Sequence, residues 1–226
     1  MAFSLNGRKE NRWRRSRDEM VDKQIIARGI ADARVIEALR EVPRHHFAPE
    51  IFRETAYADK ALPIGHGQTI SQPYMVAAAL EALELKGGEK VLEIGAGSGY
   101  LTALLGRLAG SVRAIERVPE LAVRARERLD SFGLTNYMLW TADGTYGWPE
   151  EAPFDAIVSA ASAPSVPEPW MQQIAPGGRI VMPLGEGEKQ TLVRFRASGT
   201  GEMLPPEELV NCVFVKLVGK YGWEKP

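Results

Sequence analysis

Along this chain the spacing of apolar residues switches between a helical and a strand-like period. The first helical stretch carries Met20, Val21, Ile25 and Ile26. Ser16 with Glu19 three positions later reads as its capping box, and Gly29 as its stop. A second helix is expected after Asp32, with Val35, Ile36 and Leu39 on its buried side and Pro43 ending it. Residues 44–72 show little periodicity, and Pro49, Pro63, Gly65 and Gly67 are spread through them. The same stretch holds Ile51, Phe52, Tyr57, Leu62 and Ile64, so a functional loop is expected there rather than disorder. Pro73 suits the first turn of a helix whose apolar face is Met75, Val76, Ala79, Leu80 and Leu83.

From there the pattern alternates. Val91, Leu92 and Ile94 predict a strand, and Leu101, Leu104, Leu105 and Leu108 a helix. Strands are expected at 112–116, 137–142, 154–158, 179–183, 191–195 and 210–218, and helices at 121–132 and 166–174. Strands alternating with helices, closed by two strands in succession, predict an α/β fold: a mainly parallel seven-stranded sheet flanked by helices, with an antiparallel edge and an N-terminal helical segment. Residues 1–15 are expected to be a flexible basic extension and 16–226 a single domain, with 16–85 forming the helices and loop ahead of the 86–226 sheet.

Composition narrows the class without naming it. A hydrophobic share of 45% and a charged share of 25% are ordinary for a globular protein, and no apolar run approaches a membrane span. A single cysteine, Cys212, excludes an internal disulfide and suits a reducing, cytoplasmic setting. The net charge of −1 gives no electrostatic case for nucleic acid as a partner. The first 17 residues differ, with six basic side chains against Glu10, and a solvated terminus is the preferred reading of them. His45, His46 and His66 are the only histidines, and adjacent His45-His46 lacks metal-ligand spacing, so no metal is expected.

The chemistry concentrates at strand ends. Gly95, Gly97 and Gly99 follow the 91–94 strand and open a helix, where a backbone without Cβ atoms lets a ligand lie close. Tyr100 stands where the dinucleotide fingerprint would place another glycine, which disfavours a nicotinamide or flavin site. Glu116 ends the next strand, 21 positions after Gly95, where a carboxylate can accept from both hydroxyls of a ribose. Asp143-Gly144 follows the strand after that, and Asp143 could accept from the amine of an adenine in the same crevice. Glu93, between Leu92 and Ile94, is costly to bury without partners, which loop amides or the amino end of a ligand would supply.

Residues 91–100, Val-Leu-Glu-Ile-Gly-Ala-Gly-Ser-Gly-Tyr, resemble motif I of the S-adenosylmethionine-dependent methyltransferases. Residues 62–74, Leu-Pro-Ile-Gly-His-Gly-Gln-Thr-Ile-Ser-Gln-Pro-Tyr, with the preceding Tyr57-Ala58-Asp59, resemble one family within them, protein-L-isoaspartate O-methyltransferase. The resemblance runs from about Asp18 to Gly219 and implies a Rossmann-like class I methyltransferase. It implies S-adenosyl-L-methionine as cofactor, S-adenosyl-L-homocysteine as product, and damaged proteins and peptides containing L-isoaspartate as substrates. The implied catalytic residues are Ser71 and Asp59. The implied cofactor-binding set is Thr69, Ile70, Ser71, Glu93, Gly95, Gly97, Gly99, Glu116, Asp143 and Gly144. Ile64, Gly65, His66 and Gln68 would meet the peptide. A monomer is expected, without a membrane partner. On the residues alone, Ser71 reads first as an N-cap hydroxyl, and Asp59 equally as a turn or cap acid. A same-fold methyltransferase for nucleic acid or a small molecule, or a non-catalytic cofactor-binding module, are the competing functions.

Overall fold

The computed structural model describes residues 2–224. Helix α1 (Ala2–Met20) passes straight through Ser16 into a π turn (Val21–Ile25) and a 3-10 turn (Ile26–Arg28), which Gly29 closes at a φ of 96°. The helix start expected at Ser16 is therefore corrected. Ser and Glu three apart also share one face of a helix interior, and Glu19 here pairs with Lys23 at 3.6 Å. The basic residues ahead of Ser16, expected as a flexible extension, form the first turns of that helix. Helix α2 (Ala33–Glu41) begins as expected: the Asp32 carboxylate accepts the amides of Arg34 at 2.8 Å and Val35 at 3.2 Å.

The irregular 44–72 stretch contains more structure than its sequence announces. It forms a single turn, α3 (Arg44–Phe47), then a 3-10 turn (Glu50–Thr55), then an antiparallel hairpin of β1 (Leu62–Gly65) and β2 (Gln68–Ile70). Strands of four and three residues are too short to display a period. Helix α4 (Pro73–Leu83) follows, with Pro73 at its start as expected.

The main sheet holds β3 (Lys90–Ile94), β4 (Ser111–Glu116), β5 (Tyr137–Thr141), β6 (Phe154–Ser159), β7 (Ile174–Glu186), β8 (Lys189–Arg196) and β9 (Glu207–Cys212). Their order is β5-β4-β3-β6-β7-β8-β9. The first five strands are parallel; β8 and β9 add the antiparallel edge. Helices α5 (Tyr100–Leu108), α6 (Pro119–Ser131) and α7 (Glu168–Gln173) connect the strands. The strand expected at 210–218 is shorter: pairing stops at Cys212, and the chain turns under the sheet, where Ser162 bridges Lys216.

Neighbours along each strand face opposite sides, and each side has its own core. Val91, Val112 and Val181 pack with Leu39, Leu83, Leu104 and Leu129 under α2, α4, α5 and α6. Leu92, Ile115, Ile157 and Ile180 pack with Trp170 of α7 and Leu217 of the C-terminal segment. Each fully buried Leu or Ile contributes about 1.5–3 kcal/mol. Among the described residues no helix is long and apolar enough to cross a membrane.

Candidate active site

The sheet order reverses at β3: the chain proceeds outward to β4 and β5 on one side, then returns to β6 and β7 on the other. Ligands of open α/β sheets bind outside the carboxyl ends of the strands at such a switch point. A crevice opens there, between the β3–α5 loop and residues 158–160 at the end of β6. It has two chambers, which share Thr69, Gly95, Gly97 and Ala160. One is largely apolar, walled by Ile70, Met75, Val76 and Ala79; the other is the more polar, with Glu116, Arg117 and Gly144 among its walls beside Val118 and Leu217.

The loop is a tight backbone cradle. Gly95 and Ala96 donate their amides to the Ile115 carbonyl, at 2.8 and 3.1 Å, which fixes the loop to β4. Gly97 sits at a φ of 54°, where a side chain is strained, and a Cβ there would stand 3.3 Å from Ile64 Cδ1. Glycine is thus required both by the turn and by the hairpin lying over it. Gly99, at a φ of 87°, begins α5.

Glu116 is 5% exposed, and each carboxylate oxygen accepts one backbone amide: Oε2 from Gly97 and Oε1 from Val118, both at 2.8 Å. A carboxylate has about four acceptor positions, so the capacity for a diol remains. Glu93 behaves differently. It is fully buried on the α5 side of β3, and neither of its oxygens has a hydrogen-bond partner. Burial pushes its pKa up to about 8; Thr102 opposes this rise and Glu116 adds to it. Glu93 lines neither chamber, so it lies beneath the cradle.

Asp143 is a correction to the expected row of strand-end acids in one crevice. Its Oδ1 caps the turn at Gly144–Tyr146 by accepting Thr145 N at 2.9 Å and Thr145 Oγ1 at 2.8 Å. Its Oδ2 accepts the amide of Lys220 at 2.9 Å. The carboxylate is drawn into a neighbouring depression with Gly219, Lys220 and Trp223, and Gly144 alone of the pair reaches the crevice.

Ser71 lies where the apolar chamber meets an open surface groove, and it lines both. The N-cap of α4 is Gln72, with no side-chain cap bond, so the Ser71 hydroxyl is not the helix cap. Asp59 lines the same groove. Gln72 Nε2 donates to Asp59 Oδ1 at 2.8 Å, and Arg28 Nη1 stands 3.3 Å from Asp59 Oδ2. The Arg28 guanidinium also covers the Tyr74 ring at 3.5 Å from its centroid. The far wall is Val210–Phe214, the end of β9 and the turn beyond it.

The hairpin residues expected to meet substrate divide. Gln68 lines the polar chamber. Ile64 is buried against the glycine cradle. Gly65 and His66 form the exposed hairpin tip, with His66 at a φ of 54°, and line none of these cavities. Sequence reasoning missed Arg28 and Phe214, which reach the groove through tertiary packing alone, and gave Tyr74, at the end of the 62–74 stretch, no role. It also missed Ser159 and Ala160, which the strand-end rule applied to β6 would have flagged.

Comparison with known proteins agrees with this arrangement. Residues 15–222 match the family model described as protein-L-isoaspartate(D-aspartate) O-methyltransferase. The chain is 53% identical over 208 residues to the protein-L-isoaspartate O-methyltransferase of Geobacter metallireducens, covering 92% of this chain and 96% of that one. It is 50% identical over 212 residues to that of Methanoculleus marisnigri, covering 93% and 95%. Its fold matches the crystal structure of the Plasmodium falciparum protein of that name, solved in complex with S-adenosyl-L-homocysteine. The TM-score is 0.77 at 27% identity, with 89% of this chain and 98% of that one covered. With the family model spanning nearly the whole sequence and half of all positions shared with such relatives, this chain belongs to the protein-L-isoaspartate(D-aspartate) O-methyltransferase family.

Proposed function

We propose that the chain transfers a methyl group from S-adenosyl-L-methionine to the α-carboxylate of L-isoaspartyl residues in damaged proteins and peptides, with Ser71 as the residue that presents the carboxylate. The observation that carries this reading is the position of Ser71 on the wall shared by the narrow chamber, of about 40 Å³, and the wider groove, of about 430 Å³. A polypeptide fits only the wider side, and the reacting groups must meet at the shared wall.

The residues present fit the cofactor. Gly95 and Gly97 form a cradle without side chains, Glu116 keeps acceptor capacity for a ribose, and Thr69, Ile70 and Gly144 complete the walls. Asp143 acts one step removed, fixing the turn that presents Gly144. Glu93 lies below the loop as a buried, unpartnered acid, able to fix the loop once a cationic group lies above it. When bound, the cofactor supplies a methyl already activated on a sulfonium.

The chain's own task is then to orient and desolvate. A carboxylate nucleophile has a pKa of about 3.9 and is ionised at neutral pH, so no general base is needed. The Ser71 hydroxyl donates to one carboxylate oxygen and leaves the other directed into the chamber. Asp59 holds the Gln72 side chain next to Ser71 and is itself held by Arg28. The two-stranded β1–β2 sheet has outer edges to which an extended peptide can add main-chain hydrogen bonds. Holding reactants in line supplies roughly 7–11 kcal/mol in well-oriented systems, which makes this positioning the main catalytic contribution. Off the enzyme, the neighbouring backbone amide nitrogen then attacks the methyl ester and expels methanol to close a succinimide, and water opens part of that ring to ordinary aspartate.

The proposal extends to a cytoplasmic monomer of 24.9 kDa, which gel filtration of the pure chain would test. To test the function, an isoaspartyl peptide is incubated with protein and cofactor through repeated cycles, and its isomers are separated. Conversion of isoaspartyl to aspartyl peptide, dependent on both protein and cofactor, is expected. Unchanged isoaspartyl content over many equivalents of cofactor would refute it.

A further inference from the structure

His45, His46 and Glu10 line none of the methyl-transfer cavities, yet the fold brings them together. Glu10 comes from α1, and the two histidines from α3, 35 positions later. One ligand-capable atom from each lies within 4.8 Å of the others. His45 is fully buried, and its Nε2 has no hydrogen-bond partner. Its other nitrogen, Nδ1, is 2.7 Å from the Tyr57 hydroxyl. Trp13 stacks on the ring at a centroid distance of 4.1 Å, and His46 meets it edge-on at 4.4 Å.

A buried imidazole nitrogen left without a partner is costly unless something binds it. One nitrogen fixed by a hydrogen bond and the other free is the arrangement of metal-ligating histidines, in which the fixed nitrogen sets tautomer and ring orientation. Burial pushes the pKa of both imidazoles below its usual range, that of His45 to about 3. Arg17 and Arg53 stand near and oppose a cation, whereas Glu10 favours one. Two neutral imidazoles and a carboxylate suit a first-row transition ion better than calcium or magnesium. We propose that Glu10, His45 and His46 form a zinc-type divalent metal site that staples α1 to the α3 turn, with water completing the coordination.

Zinc–nitrogen bonds of about 2.0–2.1 Å place tetrahedral ligands about 3.3 Å apart, so the ion would draw the three groups inward. Glu10 and His46 are exposed and able to swing, while His45 is held by Tyr57 and Trp13. Adjacent histidines alone gave no ligand spacing along the sequence; the third ligand arrives only because residues 2–20 are helical and bring Glu10 and Trp13 against the histidines.

The test uses the full chain, stripped with a chelator, desalted and titrated with zinc chloride by calorimetry, with thermal unfolding followed in parallel. One ion per chain in the micromolar range and a raised Tm are expected. Replacing the hydrogen-bond partner of a ligating histidine already weakens metal sites about 10–100-fold, so Glu10→Gln and His46→Ala should each weaken binding by at least that factor. Both residues are exposed, so the variants should fold and match the wild-type Tm in chelator. Absence of saturable binding, or wild-type binding by the Glu10→Gln/His46→Ala double variant, would overturn the proposal. Neither readout depends on methyl transfer.

Discussion

In the crevice at the strand ends, polar groups are tied to the backbone: the Glu116 carboxylate grips the amides of Gly97 and Val118, and Gly95 and Ala96 grip Ile115. In the groove outside it, side chains hold one another at the surface, as Asp59, Gln72 and Arg28 do, and Asp59 and Arg28 are each about two-fifths exposed. The first region is part of the fold, so its residues cannot change without disturbing the sheet around them. The second is built on the fold and can be altered nearly independently. Cofactor binding and stability should therefore move together in the crevice, while turnover should move alone in the groove.

Ser71→Ala should show the largest effect. With the hydroxyl gone, kcat for an isoaspartyl peptide should fall on the order of 10²-fold, as when a single positioned hydrogen-bond donor is removed from an active site. Because Gln72 rather than Ser71 occupies the N-cap, thermal stability and cofactor affinity should stay near wild type. A lowered Tm with unchanged kcat per folded molecule would instead make Ser71 structural.

Glu116→Gln should damage both properties at once. A glutamine must turn an N–H toward either Gly97 N or Val118 N, leaving an amide unpaired at a cost of about 1–3 kcal/mol. Calorimetry with S-adenosyl-L-homocysteine should show at least tenfold weaker binding, and denaturant unfolding a matching loss of stability. Weakened binding at full stability would break the link between the two in this region.

Glu93→Gln separates the acid beneath the cradle from the acid beside it. The folded-state pKa of Glu93 is about 8, against an ordinary 4.5, so folded protein binds the proton more tightly than unfolded protein between these values. This contribution is fully present below 4.5 and is lost as the pH rises through 8. Without cofactor, the variant should match wild type in acid and exceed it by up to ~5 kcal/mol in alkali. Parallel stability–pH curves for the two proteins would show that Glu93 is already ionised in the free fold.

Arg28→Ala should have the smallest effect of the four variants. Exposed ion pairs contribute about 0–1 kcal/mol, so unfolding should barely change while KM for the peptide rises a few-fold. A stability loss well above that range would mean that the groove, too, is part of the fold.

Much of this division was legible in the sequence. The apolar period located the seven strands of the main sheet, the last of them only in part, and the glycines and Glu116 marked the crevice, because strand ends in a parallel sheet follow from alternation alone. The groove was legible only through the resemblance of residues 57–74 to a family. Its walls come from Arg28, Tyr74 and Phe214, which no local pattern connects, and its hairpin strands are too short to show a period. Residues 213–218 are apolar enough to read as strand, yet their partner is Ser162 rather than the sheet edge. Asp143 kept its strand-end position but spends its carboxylate on capping and on Lys220, a choice set by a segment 77 positions away.

The central claim is that the crevice and groove together methylate isoaspartate and not aspartate. Its most direct test is transfer of labelled methyl from S-adenosyl-L-methionine to two peptides that differ only in carrying L-isoaspartate or L-aspartate at one position. Label on the isoaspartyl peptide alone is the predicted result. Equal labelling of both, or none on either while the cofactor binds, would contradict the account.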